Sequence, residues 1–280
     1  MVQWSEGLAI FVPCVVELIC AMFLVLLGCG STVNWPQEET APTVLTISLS
    51  FGFLNAFLGN ISTCFSGGFF NPAITASLVS TRTMPVKTAF CFILAQLLGA
   101  VIGAGLLYFI VPSESHEYLG MTLVKPVSCL TGCGVEVLMT TVVTLTVLHT
   151  SDGGQRTIDY SASVVIGLAV SVCHLFGFPI TGCGINPARS FGPAVIMNKW
   201  RNHWVYWAGP IIGAQLAAAI HHLLNNFPVT TVNELVVSGR QLTNKAVSAP
   251  LEPSKSENHP PTPTQVTGQA DSPCELTTSL

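Results

Sequence analysis

The sequence predicts an all-α membrane protein with six transmembrane helices and two re-entrant half-helices, arranged as two inverted three-helix repeats. Three observations support this prediction. Only 9% of the 280 residues are charged and 50% are hydrophobic, whereas a soluble domain carries roughly 25% charged residues. Several stretches without charge exceed the ~20 apolar residues that cross a bilayer. Two Asn-Pro-Ala triplets also lie at matching places in the two halves of the chain.

Six apolar segments are long enough to be spans. Four stretches contain no Asp, Glu, Lys or Arg, and two more contain a single acid, Glu17 or Glu136. No basic region precedes the first apolar run, so we expect that run to stay in place and not to be a cleaved signal peptide. The predicted spans are residues 9–29, 43–61, 88–111, 127–149, 160–178 and 203–225.

These spans divide the chain into four parts. An N-terminal segment (1–8) is followed by a first repeat (9–111, half-helix from 71), a second repeat (127–225, half-helix from 186) and a tail (226–280). From about residue 248 the tail is rich in Pro, Ser, Thr and Gln, and this composition predicts disorder. Its last residues, Thr278, Ser279 and Leu280, fit a PDZ-binding pattern, and a chance match of three residues is the alternative.

The remaining composition argues mainly against other classes of protein. The ten cysteines have the spacing of neither a disulfide framework nor a zinc site, so we predict no metal and no cofactor. No basic patch indicates a nucleic-acid partner. An even number of spans places both termini on the same side of the membrane. The basic residues of the loops do not show which side this is, because three lie on one side (Arg82, Lys87 and Arg156) and three on the other (Lys125, Lys199 and Arg201).

Three markers recur in the same order in both halves. Glu17, Asn71-Pro72-Ala73 and Ala95-Gln96-Leu97 recur as Glu136, Asn186-Pro187-Ala188 and Ala214-Gln215-Leu216, with the same separation from Glu to Gln. Because each half holds three spans, the second half begins on the opposite face and runs inverted. Inverted repeats place a site near the bilayer midplane.

Each triplet resembles the start of a helix that crosses only half of the membrane. Asn is a strong N-cap, and Pro at the first helical position loses only an N–H that would be unpaired anyway. The helix after Asn71 runs to about Ser80, a length of ~15 Å. Irregular backbone at this depth requires a surrounding cavity. Each N-terminus carries roughly +0.5 of a charge, so the cavity repels cations, and an Asn whose oxygen caps the helix keeps its NH2 free to donate.

On these motifs, the sequence resembles the aquaporins, the major intrinsic protein family, over about residues 8–225. The resemblance rests on Glu17, on Ser66 to Ala73 around the first triplet, and on Thr181 to Ala194 around the second. It implies a passive water channel and not an enzyme, with a pore in every subunit of a homotetramer. It also implies a cell-membrane location, with the lipid bilayer as surroundings and both termini cytoplasmic.

The resemblance also implies which residues line the narrowest point. Matched residue by residue, they are Phe51, His174, Cys183 and Arg189, a set similar to that of the water-selective branch. Glycerol-conducting members usually have a smaller residue at position 174, an aromatic at 183 and Asp at 190. The chain departs from the family at Phe69 and Gly68, where His and Ala are common, and this departure puts a pH response at that mouth in doubt.

Two predictions concern single side chains. Intramembrane acids such as Glu17 and Glu136 suggest a proton relay, but a carboxylate can also accept the unpaired N–H groups of a re-entrant loop. Their recurrence in both halves favours the bracing role. A thiol at the constriction would bind Hg²⁺, so Cys183 is the predicted site of mercury inhibition.

Three other functions compete with water conduction. A glycerol or small-solute channel is the nearest alternative, and a proton-coupled transporter would also suit inverted repeats with buried acids. An intramembrane serine protease would rest on Ser66 and His174, but Cys64 stands where its Gly-x-Ser motif needs Gly.

Overall fold

The computed structural model describes residues 6–36, 38, 40–151 and 160–226 of the chain. Within these ranges the chain forms eight α-helices and a short 3-10 turn at Ser113–Ser115. In order they are α1 (Glu6–Gly30), α2 (Val44–Ser62), α3 (Pro72–Ser80), α4 (Val86–Ile110), α5 (Cys129–Ser151), α6 (Tyr160–Thr181), α7 (Pro187–Met197) and α8 (Val205–Asn225).

Six of these helices are long and two are short, which confirms the predicted fold class. Helices α1, α2, α4, α5 and α6 are long and apolar enough to cross a membrane. Helix α8 has a comparable length of 21 residues, but polar residues such as Gln215 and His222 lower its mean hydropathy. Its status as the sixth span therefore rests on its place in the fold.

The five apolar spans turn much of their surface outward. Between 28% and 44% of the most apolar window of each span is buried inside the protein. The outward side chains are apolar, for example Phe53 (65% exposed) and Phe57 (62% exposed) on α2 and Phe90 (62% exposed) on α4. A helix that is apolar on its outer face as well as its inner face is suited to lipid.

The helix pairs show the symmetry of an inverted repeat. Helix α1 packs chiefly on α4 and α5 packs chiefly on α8, while α2 and α6 pack on each other. Likewise α4 contacts α7, and α8 contacts α3. Each contact in one half has its counterpart in the other when α1, α2, α3 and α4 are exchanged with α5, α6, α7 and α8. We call the face that carries the loops 111–128 and 198–204 the filter face, and the opposite one the termini face.

Close glycine contacts give the register between the two repeats. A Cβ at Gly99 would overlap the carbonyl oxygen of Leu18, and a Cβ at Gly213 would overlap that of Val137. Leu18 and Val137 directly follow the two acids, so Gly99 is equivalent to Gly213. These glycines let helices approach at the distance of backbone contact.

This register corrects one of the three repeat markers. With Gly99 aligned on Gly213, the residue equivalent to Gln96 is Pro210 and not Gln215. Gln96 donates to Glu17 Oε2 at 2.7 Å, whereas Gln215 accepts from Ser80 Oγ on α3 at 2.5 Å. The equal Glu-to-Gln separation is therefore a coincidence of sequence, and the acids and the triplets are the genuine markers.

Several predictions lie outside the described residues. They are the N-terminal residues 1–5, the tail beyond residue 226 with its disorder from about 248, and the C-terminal Thr278, Ser279 and Leu280.

Candidate pore

Both half-helices begin at the triplets, where each Asn caps its own helix. The Oδ1 atom of Asn71 accepts the backbone N–H of Ala73 at 2.9 Å, and Pro72 is the first residue of α3. The Oδ1 atom of Asn186 accepts the N–H of Ala188 at 3.0 Å. The local sequence thus forms the helix starts that Asn-Pro favours.

Each capping Asn also bonds to the opposite repeat. Asn71 Nδ2 donates to the carbonyl oxygen of Ile185 at 3.0 Å, and Asn186 Nδ2 donates to that of Phe70 at 2.9 Å. The sequence suggested that these amide NH2 groups are free, but each of them is partly bonded. One hydrogen of each is held by a carbonyl, and the second remains to donate. These crossed bonds hold the N-termini of α3 and α7 facing each other.

Glu17 braces the first re-entrant loop. Its Oε1 accepts Ser66 Oγ at 2.6 Å and the N–H of Phe69 at 3.1 Å. Its Oε2 accepts the N–H of Phe70 at 2.6 Å and Gln96 Nε2 at 2.7 Å. The carboxylate is fully buried, and its oxygens accept four hydrogen bonds. This geometry is that of a brace for the loop.

Glu136 occupies the same place in the second repeat. Its Oε1 accepts Thr181 Oγ1 at 2.6 Å and the N–H of Gly184 at 2.8 Å, and its Oε2 accepts the N–H of Ile185 at 2.6 Å. The side chain is also fully buried. Among the described residues Glu136 has three donors and not four, since Pro210 stands in the position equivalent to Gln96.

The residue before each capping Asn has an unusual backbone conformation. Phe70 has a φ of 31° and Ile185 a φ of 45°, which is rare for residues other than Gly and a marked outlier for β-branched Ile. In each case the N–H points to a bracing carboxylate and the carbonyl points to the Asn of the opposite repeat. The strain, of order 1–3 kcal/mol per residue, is held by these bonds. No sequence pattern predicted it.

Three of the four expected constriction residues come together between the midplane and the filter face. The rings of Phe51 and His174 stack with centroids 4.3 Å apart and an angle of 19° between planes. The Cζ atom of Arg189 lies 4.9 Å from the Phe51 ring centroid. All three side chains are at most 2% exposed. We call Phe51, His174 and Arg189 the filter cluster.

Two fully buried polar atoms of the filter cluster have no hydrogen-bond partner within the described part of the protein. They are His174 Nε2 and Arg189 Nε. The other ring nitrogen of His174 is paired, since Nδ1 lies 3.0 Å from the carbonyl oxygen of Val170. A buried polar atom without a partner is uncommon and usually indicates a function or a bound water.

Arg189 is held by two residues that the sequence did not identify. Its Nη1 donates to the carbonyl oxygen of Gly120 at 2.6 Å and to Cys29 Sγ at 3.2 Å. The Cys29 thiol in turn lies 3.6 Å from the same carbonyl oxygen. Cys29 lies in α1 and Gly120 in the loop between α4 and α5, so no local signal connects either of them with Arg189.

The fourth expected residue, Cys183, lies in the second re-entrant loop, and its thiol lies against α5 and α6. Cys183 Sγ is 3.8 Å from Met139 Sδ of α5, and its backbone N–H donates to Thr181 Oγ1 at 3.1 Å. The side chain is fully buried, and the residue has a φ of 50°. The sulfur thus packs between α5 and α6, and among the described residues no hydrogen bond or ring contact joins it to the filter cluster.

A narrow cavity approaches the triplets from the termini face. Its volume is about 40 Å³, and its walls include Asn55, Phe69, Ile74 and Val147 as well as Asn71. This volume holds little more than one water molecule. Phe69, where the resemblance implies His, makes one wall of the cavity apolar.

Comparisons with known proteins identify a family and several relatives. A family profile described as Major intrinsic protein matches residues 7–221. Aquaporin-4 of Mus musculus is 41% identical over 208 residues, which cover 73% of this chain and 64% of that protein. The match thus spans just under two thirds of that relative. Aquaporin-5 of Rattus norvegicus is 37% identical over 223 residues, covering 78% of this chain and 82% of that protein.

A solved structure supports the fold. The X-ray structure of the aquaglyceroporin from Plasmodium falciparum matches with a TM-score of 0.69 at 23% identity. The match covers 76% of this chain and 95% of that one. At this identity the likeness shows the fold alone.

Proposed function

Because this chain belongs to the major intrinsic protein family, we propose that it is a passive channel that conducts water and excludes protons and ions. The relatives at 41% and 37% identity are aquaporin-4 and aquaporin-5. The proposed path runs from the cavity beside Asn71, past the facing N-termini of α3 and α7, to the filter cluster and out at the filter face.

The unpaired atoms of the filter cluster carry this proposal. His174 Nε2 and Arg189 Nε are buried without a partner, and leaving a buried polar group unpaired costs about 1–3 kcal/mol. A passing water molecule pairs with both and then moves on, so the site binds water without holding it. At the midplane the second amide hydrogens of Asn71 and Asn186 serve the same purpose.

Cations are excluded by fixed positive charge. The Arg189 guanidinium carries one positive charge, and the two helix N-termini add roughly +0.5 each. At about 5 Å and an effective dielectric constant of about 20, the guanidinium alone opposes a monovalent cation by about 3 kcal/mol. Water, being neutral, meets donors of hydrogen bonds and no such barrier.

The alternatives fit the geometry less well. Phe51 and His174 stack at 4.3 Å, and these two rings leave little width for glycerol. A proton-coupled transporter would need an acid that exchanges protons with the path. Both oxygens of Glu17 and of Glu136 are instead occupied by donors from the re-entrant loops.

We further propose the assembly and orientation that the family implies. The protein forms a homotetramer in the cell membrane, with one pore in each subunit and both termini in the cytoplasm. The filter face is then extracellular. A PDZ-domain partner for Thr278, Ser279 and Leu280 is a proposal from the sequence alone.

Stopped-flow light scattering of proteoliposomes tests the function. Vesicles with the protein should shrink faster in an osmotic gradient than vesicles without it, and should show no added glycerol flux and no added proton flux with an internal pH dye. The variant Gly134→Ala is a matched control, because an added methyl group there meets open space. Water flux equal to that of empty vesicles would overturn the proposal.

A further inference from the structure

A second cavity lies at the filter face, and no residue of the filter cluster lines it. It has a volume of about 390 Å³ and lies between the loop from Tyr118 to Lys125 and the loop that follows α7. This volume is within the range of small-molecule sites, roughly 300–1,000 Å³. Nothing in water conduction requires a cavity of this size beside the pore.

The charged side chains that line this cavity are all positive. Lys125, Lys199 and Arg201 line it, and no Asp or Glu is among the described residues that do so. Lys199 Nζ donates to the backbone carbonyl oxygen of Glu117, which leaves its charge unneutralised. Arg201 makes no hydrogen bond or ion pair with any described residue. Nearby His203 adds no charge near neutral pH, because burial lowers the pKa of its imidazole.

One aromatic ring gathers two of these cations. Lys199 Nζ lies 4.3 Å and Lys125 Nζ lies 5.5 Å from the centroid of the Tyr118 ring. Cation–π contact offsets part of the repulsion between the two ammonium groups. The ring therefore concentrates positive charge at one end of the cavity, although like charges normally separate.

The rest of the cavity wall is apolar and partly aromatic. Trp200 is 46% exposed, and its indole N–H is already engaged by Asn198 Oδ1 at 3.2 Å, so it offers mainly the apolar part of its ring. Leu123 lies on the opposite loop and also lines the cavity. Cations at one end and an apolar wall with an indole suit a flat apolar group that bears an anion.

We propose that this cavity is a binding site for small aromatic anions, such as an aromatic carboxylate or sulfonate. The anionic group lies among Lys125, Lys199 and Arg201, and the aromatic body lies against Trp200 and Leu123. A single loop connects this site with the filter cluster. Residues from Tyr118 to Lys125 line the cavity, and Gly120 of the same loop accepts a hydrogen bond from Arg189.

The binding test uses 4-fluorobenzenesulfonate and ligand-observed fluorine NMR, with the full-length protein in nanodiscs of zwitterionic lipid. The neutral sulfonamide of the same shape is the matched ligand. We expect the sulfonate to bind and the sulfonamide to bind at least tenfold more weakly. Equal binding of the two compounds would overturn the proposal, because the cations would then contribute nothing.

Variants locate the site. Arg201→Gln removes a charge that supports no described contact, and should weaken sulfonate binding about threefold, as expected for an exposed charge pair. Lys125→Gln should act similarly, and the double variant should lose roughly tenfold. Lys87→Gln removes an exposed lysine at the start of α4, on the termini face, and should change nothing. Equal effects of Lys87→Gln and Arg201→Gln would show general charge attraction and refute the site.

A competitor separates the aromatic anion from a lipid phosphate, which shares its charge. Unlabelled benzenesulfonate should displace the probe, and glycerol phosphate, the headgroup of an anionic lipid, should displace it much less. Equal displacement by both would assign the cavity to lipid phosphate and overturn the aromatic assignment. Binding does not depend on conduction, so this test and the swelling assay fail independently.

Discussion

Gly28 on α1 offers a way to move the filter cluster without changing any residue of the cluster. A methyl group added at Gly28 would lie 2.6 Å from Cε1 and 2.9 Å from Cζ of Phe51. Ordinary contact begins at 3.4 Å, so the ring edge must retreat by about 0.8 Å. The ring is 1% exposed, and its retreat from α1 takes it further into the space that it shares with His174 and Arg189.

We therefore expect Gly28→Ala to lower water permeability about tenfold. Overpacking a buried site costs roughly 1–3 kcal/mol, and about 1.4 kcal/mol added to the barrier for water corresponds to a factor of ten. The measurement is stopped-flow shrinkage of proteoliposomes, normalised to protein content. Gly30→Ala is the matched control on the same helix, because its methyl group would meet only Leu107 Cδ1, at 3.5 Å. It should conduct normally.

A second substitution tests the cause. Phe51→Leu shortens the side chain that the new methyl group strikes, so Gly28→Ala combined with Phe51→Leu should conduct better than Gly28→Ala alone. If Gly28→Ala elutes and melts like the parent protein and conducts as well as Gly30→Ala, the Phe51 ring does not line the constriction. The proposed filter cluster would then be wrong.

The remaining predictions concern residues of the proposed path. Arg189→Val should keep water flux but raise proton or cation leakage by about two orders of magnitude, which corresponds to a barrier of ~3 kcal/mol. Arg189→Lys keeps the charge and should not leak. Equal leakage by the two variants in a pH-dye assay would refute the role of the charge. Asn71→Asp and Asn186→Asp should each lose most water flux. A carboxylate still caps the helix, but it has no N–H to donate to the opposite loop. Normal swelling together with normal ion exclusion in both variants would count against the facing half-helices. Cys183→Ser should remove most of the inhibition by Hg²⁺, because a mercury atom on this fully buried thiol must displace the re-entrant loop that leads to Arg189. Adding Cys29→Ser should remove the slower remainder, since Cys29 Sγ contacts Arg189 directly. A double variant as sensitive as the parent would show that the reactive thiol lies elsewhere.

Several features of the fold could be predicted because their signals are local. Long apolar stretches without charged residues predict spans. The observed helices begin and end within a few residues of those predictions. Asn followed by Pro begins a helix for reasons contained in those two residues. The hydrogen bonds from the first re-entrant loop to Glu17 could also be expected from local chemistry, because a re-entrant loop must find acceptors for its N–H groups.

Local repetition misled the prediction where packing sets the register. Ala-Gln-Leu recurs at the same separation from both acids, yet Gln96 reaches Glu17 and Gln215 reaches Ser80. Which residue of α8 faces Glu136 depends on where a glycine allows backbone contact, and that depends on both helices at once. Sequence separation does not contain this information.

The spans, the two half-helix starts and the acids that contact the loops can all be inferred from neighbouring residues in the chain. The way the two halves meet cannot be inferred from them. The crossed bonds from Asn71 to Ile185 and from Asn186 to Phe70 join different repeats, and Arg189 finds its anchors on α1 and in the loop after α4. These contacts join residues far apart in the chain, whose approach is fixed by side-chain packing across several helices. Hydropathy and capping act over a few neighbouring residues, and therefore cannot specify them.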